Sequence, residues 1–146
     1  MAQLFTLDAS VFVASCHRHE PGHAAAVKLL NALRVGGHPL IEPALLPIEV
    51  AAALSRTGTE AELARDYACA LLALPRFTLV PVNEQLARQA AQLAARHHLR
   101  GADALYAAVA LLYGADLVTL DREQLQRVPP GLQALKPEAA LRRFSV

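Results

Sequence analysis

Leu4-Phe5-Thr6-Leu7-Asp8 and Leu117-Val118-Thr119-Leu120-Asp121 repeat one pattern: a short apolar run that closes on Thr-Leu-Asp. A run of this length and composition reads as a buried strand of a parallel sheet. Two aspartates are therefore predicted where two core strands run out. In open α/β sheets, ligands bind just beyond the carboxyl ends of the strands, where the strand order reverses. An unpaired charge beside a core is costly, so carboxylates at that edge suggest a cation. A cation held by carboxylates in turn suggests phosphate chemistry.

Outward from these two runs, strands and helices alternate. Strand one is expected over Gln3 to Leu7, with Ser10 capping a short helix through His17. Pro21-Gly22 breaks the chain, and a helix follows to Arg34, stopped by Gly36-Gly37. Pro39-Leu40-Ile41 reads as strand two. Pro47 suits the first turn of a helix ending near Ser55 or Thr57. Thr59-Glu60-Ala61-Glu62 has the form of a capping box for a helix that stops before Pro75. Phe77 to Val80 is strand three, Asn83 caps a helix reaching Leu99 with Gly101 as its stop, and a further helix spans Ala102 to Tyr113. Strand four is expected over Leu117 to Leu120, a short edge strand over Gln133 to Leu135, and a last helix from Pro137. This alternation predicts an α/β fold: one domain over residues 1–146, a three-layer α/β/α sandwich on a central parallel sheet. Strands one and four meet at the switch point of a 3-2-1-4-5 order.

The composition fits that reading. The chain has 146 residues, 54% hydrophobic and 18% charged, enough for one domain with a useful core. No apolar run is long enough to cross a membrane. The opening Met1-Ala2-Gln3-Leu4 has no basic region and no cleavage site, so no secretory signal is expected. Cys16 and Cys69 lack metal-ligand spacing and are expected to be buried small apolar residues in a reducing cytoplasm. With a formal net charge of only +1, nothing in the composition looks like a broad basic footprint for nucleic acid. The six histidines show no zinc spacing and read as loop and helix-end residues.

Of thirteen acids, most belong to solvated helix faces. Four are placed differently. Asp8 and Asp121 end strands one and four; Glu49 and Asp103 fall in the first turns of apolar helices. Each also has a plain structural role open to it: a helix cap, a turn, or a complement to a helix dipole. Together, four carboxylates at one sheet edge would repel one another unless a divalent ion were present. Asp116, just before strand four, reads as a turn residue at the opposite end. Arg96 and Arg100, ahead of the Asp103 helix, are candidates to meet a phosphate.

These residues carry a resemblance. Asp8-Ala9-Ser10, Ile48-Glu49-Val50, the segment Leu99 to Ala108 with Gly101-Ala102-Asp103-Ala104-Leu105-Tyr106 at its heart, and Leu117 to Asp121 together resemble the PIN-domain ribonucleases. The likeness is greatest to the VapC-type toxins of prokaryotic toxin–antitoxin pairs, and it covers essentially the whole chain. It implies that Asp8, Glu49, Asp103 and Asp121 are a catalytic acidic quartet holding Mg2+ or Mn2+, with Ser10 and Thr119 as supporting hydroxyls. It further implies an endoribonuclease leaving 3′-hydroxyl and 5′-phosphate ends, a homodimer, and inhibition by a small antitoxin. A housekeeping RNA-processing nuclease and a non-catalytic PIN binding module are the alternatives. A phospho-acceptor receiver fits poorly, because Asp8 has no acidic neighbour and Lys136 is followed by a proline. A haloacid-type phosphatase needs Asp-x-Asp where this chain has Asp8-Ala9-Ser10, and no G-x-G-x-x-G follows strand one for a dinucleotide.

Overall fold

Strand β1 (Phe5–Leu7) is buried at all three residues, as an apolar run in the middle of a sheet must be. The computed structural model describes residues 3–144, so the outermost residues of the expected domain lie outside the described ones. Five parallel strands form one sheet in the order β3-β2-β1-β4-β5, as expected. The others are β2 (Leu40–Pro43), β3 (Phe77–Val80), β4 (Asp116–Val118) and β5 (Ala134–Leu135). β1 and β4 are adjacent, in the register Phe5 to Asp116 and Leu7 to Val118. The chain leaves β1 toward β2 on one side and β4 lies on the other, so the strand order reverses between β1 and β4.

Helices cover the sheet in two groups. α1 (Ala9–Cys16), α2 (His23–Gly36), α3 (Leu46–Arg56) and α4 (Ala61–Ala70) pack on one another, while α5 (Glu84–His97) packs on α6 (Gly101–Tyr113). α7 (Arg122–Gln126) and α8 (Pro137–Arg142) complete the chain. α6 is apolar nearly all round and buries seven residues, including Tyr106, Ala107 and Val109. Such a helix belongs in a core, and it packs against β1, β2 and β4. Gly114, at φ 67°, ends it in the left-handed conformation that glycine adopts without penalty.

Several local expectations are corrected. Strand four begins at Asp116 and ends at Val118, so Thr119 and Leu120 lie beyond it. Asp116 is therefore a strand residue and not a turn residue; its carboxylate accepts from Gln3 Nε2 and from Arg143 Nη1 at 2.8 Å. The capping box does not form: Glu60 occupies the N-cap of α4 without a side-chain bond. Ser10 does not cap α1, which already starts at Ala9. α5 ends at His97, with His98 left-handed at φ 57°, and Gly101 opens α6 instead of closing α5. The cap at Asn83 is as expected, its Oδ1 accepting from Leu86 N at 2.9 Å. Cys16 and Cys69 are exposed: one ends α1, the other sits on α4 beside the buried Ala68 but faces solvent.

A fifth acid lies in the core. Glu42 on β2 is fully buried, and its Oε1 accepts from Leu7 N at 2.6 Å while Oε2 has no partner. Burial drives its pKa well above the usual carboxylate value, against the Leu7 hydrogen bond, and the charge of Asp8 adds to the rise. Glu42 acts as a polar peg between β1 and β2, joined to β1 through the Leu7 amide. Glu42→Gln keeps the acceptor and the shape, so urea denaturation at pH 8 should show stability equal to or above wild type. Glu42→Leu strands a buried N–H and should cost about 1–3 kcal/mol. A Gln variant as unstable as the Leu variant would show that Glu42 works as a charge.

Candidate active site

Thr119, just past β4, is completely buried and its hydroxyl donates to Asp8 Oδ2 at 2.7 Å. Ser10, in the first turn of α1, donates to the same oxygen at 2.8 Å. Ser10 Oγ also accepts from Leu120 N at 3.1 Å, and Thr119 Oγ1 from Asp121 N at 3.0 Å. Two hydroxyls thus stitch the end of β1 to the end of β4 and hold the Asp8 carboxylate at the seam. Asp121 caps α7, its Oδ1 accepting from Glu123 N at 2.8 Å and Gln124 N at 3.2 Å. Gln124, buried, donates through Nε2 to Asp103 O at 3.1 Å, which ties α7 to the start of α6.

Asp8, Glu49, Asp103 and Asp121 line one cavity of about 390 Å³, with Arg56 and Arg100 at its sides. Ser10 also lines it, while Thr119 lies beneath; Arg96 is not among the lining residues. Each carboxylate reaches the cavity by a different route: from the end of β1, the first turn of α3, the first turn of α6 and the N-cap of α7. Asp116 is absent from it and sits at the amino end of β4. A roomier cavity of about 530 Å³ lies elsewhere, walled by α2, α4 and the segment Leu71–Arg76, and no carboxylate lines it. The acid chemistry belongs to the smaller one.

Two of the four carboxylates are half-satisfied, and two stand without hydrogen bonds among the described residues. Asp8 is anchored through Oδ2 and Asp121 through Oδ1. Asp103 Oδ2 and Glu49 Oε1 are buried and have no hydrogen-bond partner. Burial raises the Asp103 pKa to about 7, helped by the charges of Asp8, Asp121 and Glu49 and opposed by Arg100. Burial also raises Asp8, against the hydrogen bonds from Thr119 and Ser10, with the Asp121 charge adding to the rise. Glu49 is raised by burial first, with the Asp8 charge also raising it and Arg56 lowering it. Tyr106, fully buried beneath the acids, is pushed far above its ordinary range by burial and by the negative charges of Glu49, Asp8 and Glu42. Its hydroxyl is near enough to Glu49 to offset part of the burial effect, yet closes no hydrogen bond of ordinary geometry.

Unpartnered buried oxygens on mutually repelling acids are the donor set a hard divalent cation takes. Among the described residues, no three Asp, Glu, His or Cys side chains are drawn together into a ready cage. The acids instead form an open arrangement, which is how unshielded carboxylates stand apart. The residues fit an oxygen-ligated ion that would draw them in. Sequence reasoning missed Glu42, Tyr106, Arg56 and Gln124, all contributed by elements whose approach to the site is set by tertiary packing.

A doubly covered parallel sheet with an acid-lined crevice at its switch point defines the class: an α/β domain with its ligand site at the carboxyl edge. Residues 5–129 match the model of the PIN domain, and the chain belongs to that family. No curated protein matches it at a significant level. Its fold is similar to that of PAE2754 from Pyrobaculum aerophilum (24% identity, TM-score 0.70, covering 99% of this chain and 90% of that one). It is also similar to VapC20 from Mycobacterium tuberculosis, described as a sarcin–ricin loop cleaving toxin (19% identity, TM-score 0.72, covering 84% and 93%). A third is VapBC2 from Rickettsia felis, bound to a fragment of promoter DNA (16% identity, TM-score 0.68, covering 92% and 98%). At these identities the likeness establishes the fold. No helix among the described residues is long and apolar enough to cross a membrane.

Proposed function

We propose that this PIN domain is a metal-dependent endoribonuclease and the toxin of a toxin–antitoxin pair, acting as a homodimer and silenced by a small protein antitoxin. The observation that carries the reading is the convergence of Asp8, Glu49, Asp103 and Asp121 on one cavity, with buried oxygens of Glu49 and Asp103 left without partners. Support for the biological role comes from membership of the PIN family and from the toxin–antitoxin proteins among its structural relatives.

The four acids would hold Mg2+ or Mn2+. Bound between them, such an ion would supply a water acidic enough to ionise near neutrality and would screen the charge of the phosphate. The protein's own part is positional. Ser10 and Thr119 fix Asp8 through one oxygen and leave the other free to ligate. The α7 N-terminus fixes Asp121 in the same way. α6 holds Asp103 where burial first, and the neighbouring charges second, keep its proton affinity high, so the site takes up protons when no cation neutralises it. The sheet and α6 exclude water from beneath the acids, where Glu42 and Tyr106 are fully buried.

The test is cleavage of a short fluorescent RNA. With millimolar Mg2+ or Mn2+, cuts leaving 5′-phosphate ends are expected; with a chelator, none. Cleavage that persists unchanged in chelator, or an intact RNA under every ion, would refute the proposal.

A further inference from the structure

Two arginines flank the acidic cavity, and they differ in what holds them. Arg100 is tied to Glu123, Nη2 to Oε2 at 3.1 Å, and Glu123 is shared with Arg127 at 3.6 Å. Arg56 is exposed in the last turn of α3 and makes no hydrogen bond or ion pair with its side chain among the described residues. It follows Glu49 by seven residues, so the two share one face of α3, about 10 Å apart along the axis. Its positive charge already acts on Glu49, lowering that acid's proton affinity. An acid-lined cavity repels a polyanion, and a chain with net charge +1 offers little overall attraction to offset this. One unengaged guanidinium at the rim is suited to that task, because its planar fork matches a phosphate.

We propose that Arg56 seats an RNA backbone phosphate flanking the one that is cut, and so sets where along the strand the scissile bond enters the acids. The inference rests on the nuclease reading above and names a substrate-positioning residue for it. The rival role for Arg56 is to offset the dipole at the end of α3. The two differ in what they do to RNA.

The experiment compares wild type, Arg56→Gln, Arg56→Lys and the remote Arg88→Gln on a short single-stranded RNA. Steady-state rates are measured over a range of salt, and Mn2+ binding is followed by calorimetry. Arg56→Gln should raise KM about tenfold while kcat stays within about twofold. The slope of log(kcat/KM) against log salt should become shallower by about 0.7, one single-strand phosphate contact fewer. Arg56→Lys should keep the salt slope and recover part of the affinity, Arg88→Gln should match wild type, and Mn2+ binding should be no weaker in any variant than in wild type. If wild type cuts RNA but Arg56→Gln keeps its KM and salt slope, the inference falls and the nuclease reading stands. If Arg56→Gln loses Mn2+ affinity or thermal stability in proportion to activity, Arg56 is structural and the inference again falls. If wild type neither binds nor cuts RNA, the nuclease reading itself fails and takes this one with it.

Discussion

Asp8→Asn, Asp103→Asn, Asp121→Asn and Glu49→Gln are each expected to lower RNA cleavage by at least about 100-fold, while Asp116→Asn stays near wild type. Each of the four removes a negative oxygen from the cavity and keeps the side-chain shape. Electrostatic and positioning losses at an ion site amount to several kcal/mol, and about 1.4 kcal/mol is one decade in rate. Asp121→Asn is the most discriminating of these. Asparagine caps helices as well as aspartate does, so α7 should survive, and a loss of cleavage would then report the charge and not the cap. Asp116→Asn weakens a partly exposed pair with Arg143 at the amino end of β4, away from the cavity, a loss of under about 1 kcal/mol. Full activity in Asp121→Asn with loss in Asp116→Asn would invert the polarity of the site.

The second large effect concerns pH and metal together. Asp103 has a folded pKa of about 7 against an ordinary 3.8, and Asp8 and Glu49 are raised as well. Between those values the folded protein binds more protons than the unfolded chain, so stability falls as pH rises. In chelator, the melting temperature is therefore expected to fall as pH rises from about 4 to about 7 and to carry the full penalty from these groups above that. A divalent ion replaces those protons, so its stabilisation should grow over the same range. At about 100 times its Kd the ion contributes about 2.7 kcal/mol, roughly 5–10 °C for a chain of this size. Asp103→Asn should flatten the pH dependence and shrink the metal gain together. A melting temperature that rises through this range in chelator, or a metal gain larger at pH 5 than at pH 8, would contradict the coupling.

How far these features could be read from sequence follows from their range along the chain. Buried parallel strands are apolar runs, so β1 and β4 announced themselves, and the repeated Thr-Leu-Asp marked the edge where Asp8 and Asp121 stand. Glu49 and Asp103 were legible because an acid in the first turn of an apolar helix is out of place on a solvated face. Glu42 was not. An acid before Pro43 reads locally as the end of a strand, and only the pairing of β2 with β1 brings Leu7 N to its carboxylate. α7 escaped because five residues carry too little periodicity, and its formation leans on the Asp121 cap. The exposure of Cys16 and Cys69 depends on helix faces that no spacing rule between two lone cysteines reveals. Ser10 and Thr119 were placed beside the acids by family likeness; their bonds to a single oxygen of Asp8 needed the fold.

The most direct measurement is an anomalous difference map from a crystal soaked in Mn2+. A peak is expected in the cavity between Asp8 and Asp103, about 2.0–2.3 Å from their free oxygens, with Glu49 and Asp121 in the surrounding coordination. The same map from Asp103→Asn should lose most of that peak. A wild-type map with no peak in this cavity, or with its strongest peak at residues outside it, would contradict an ion site built from these four acids.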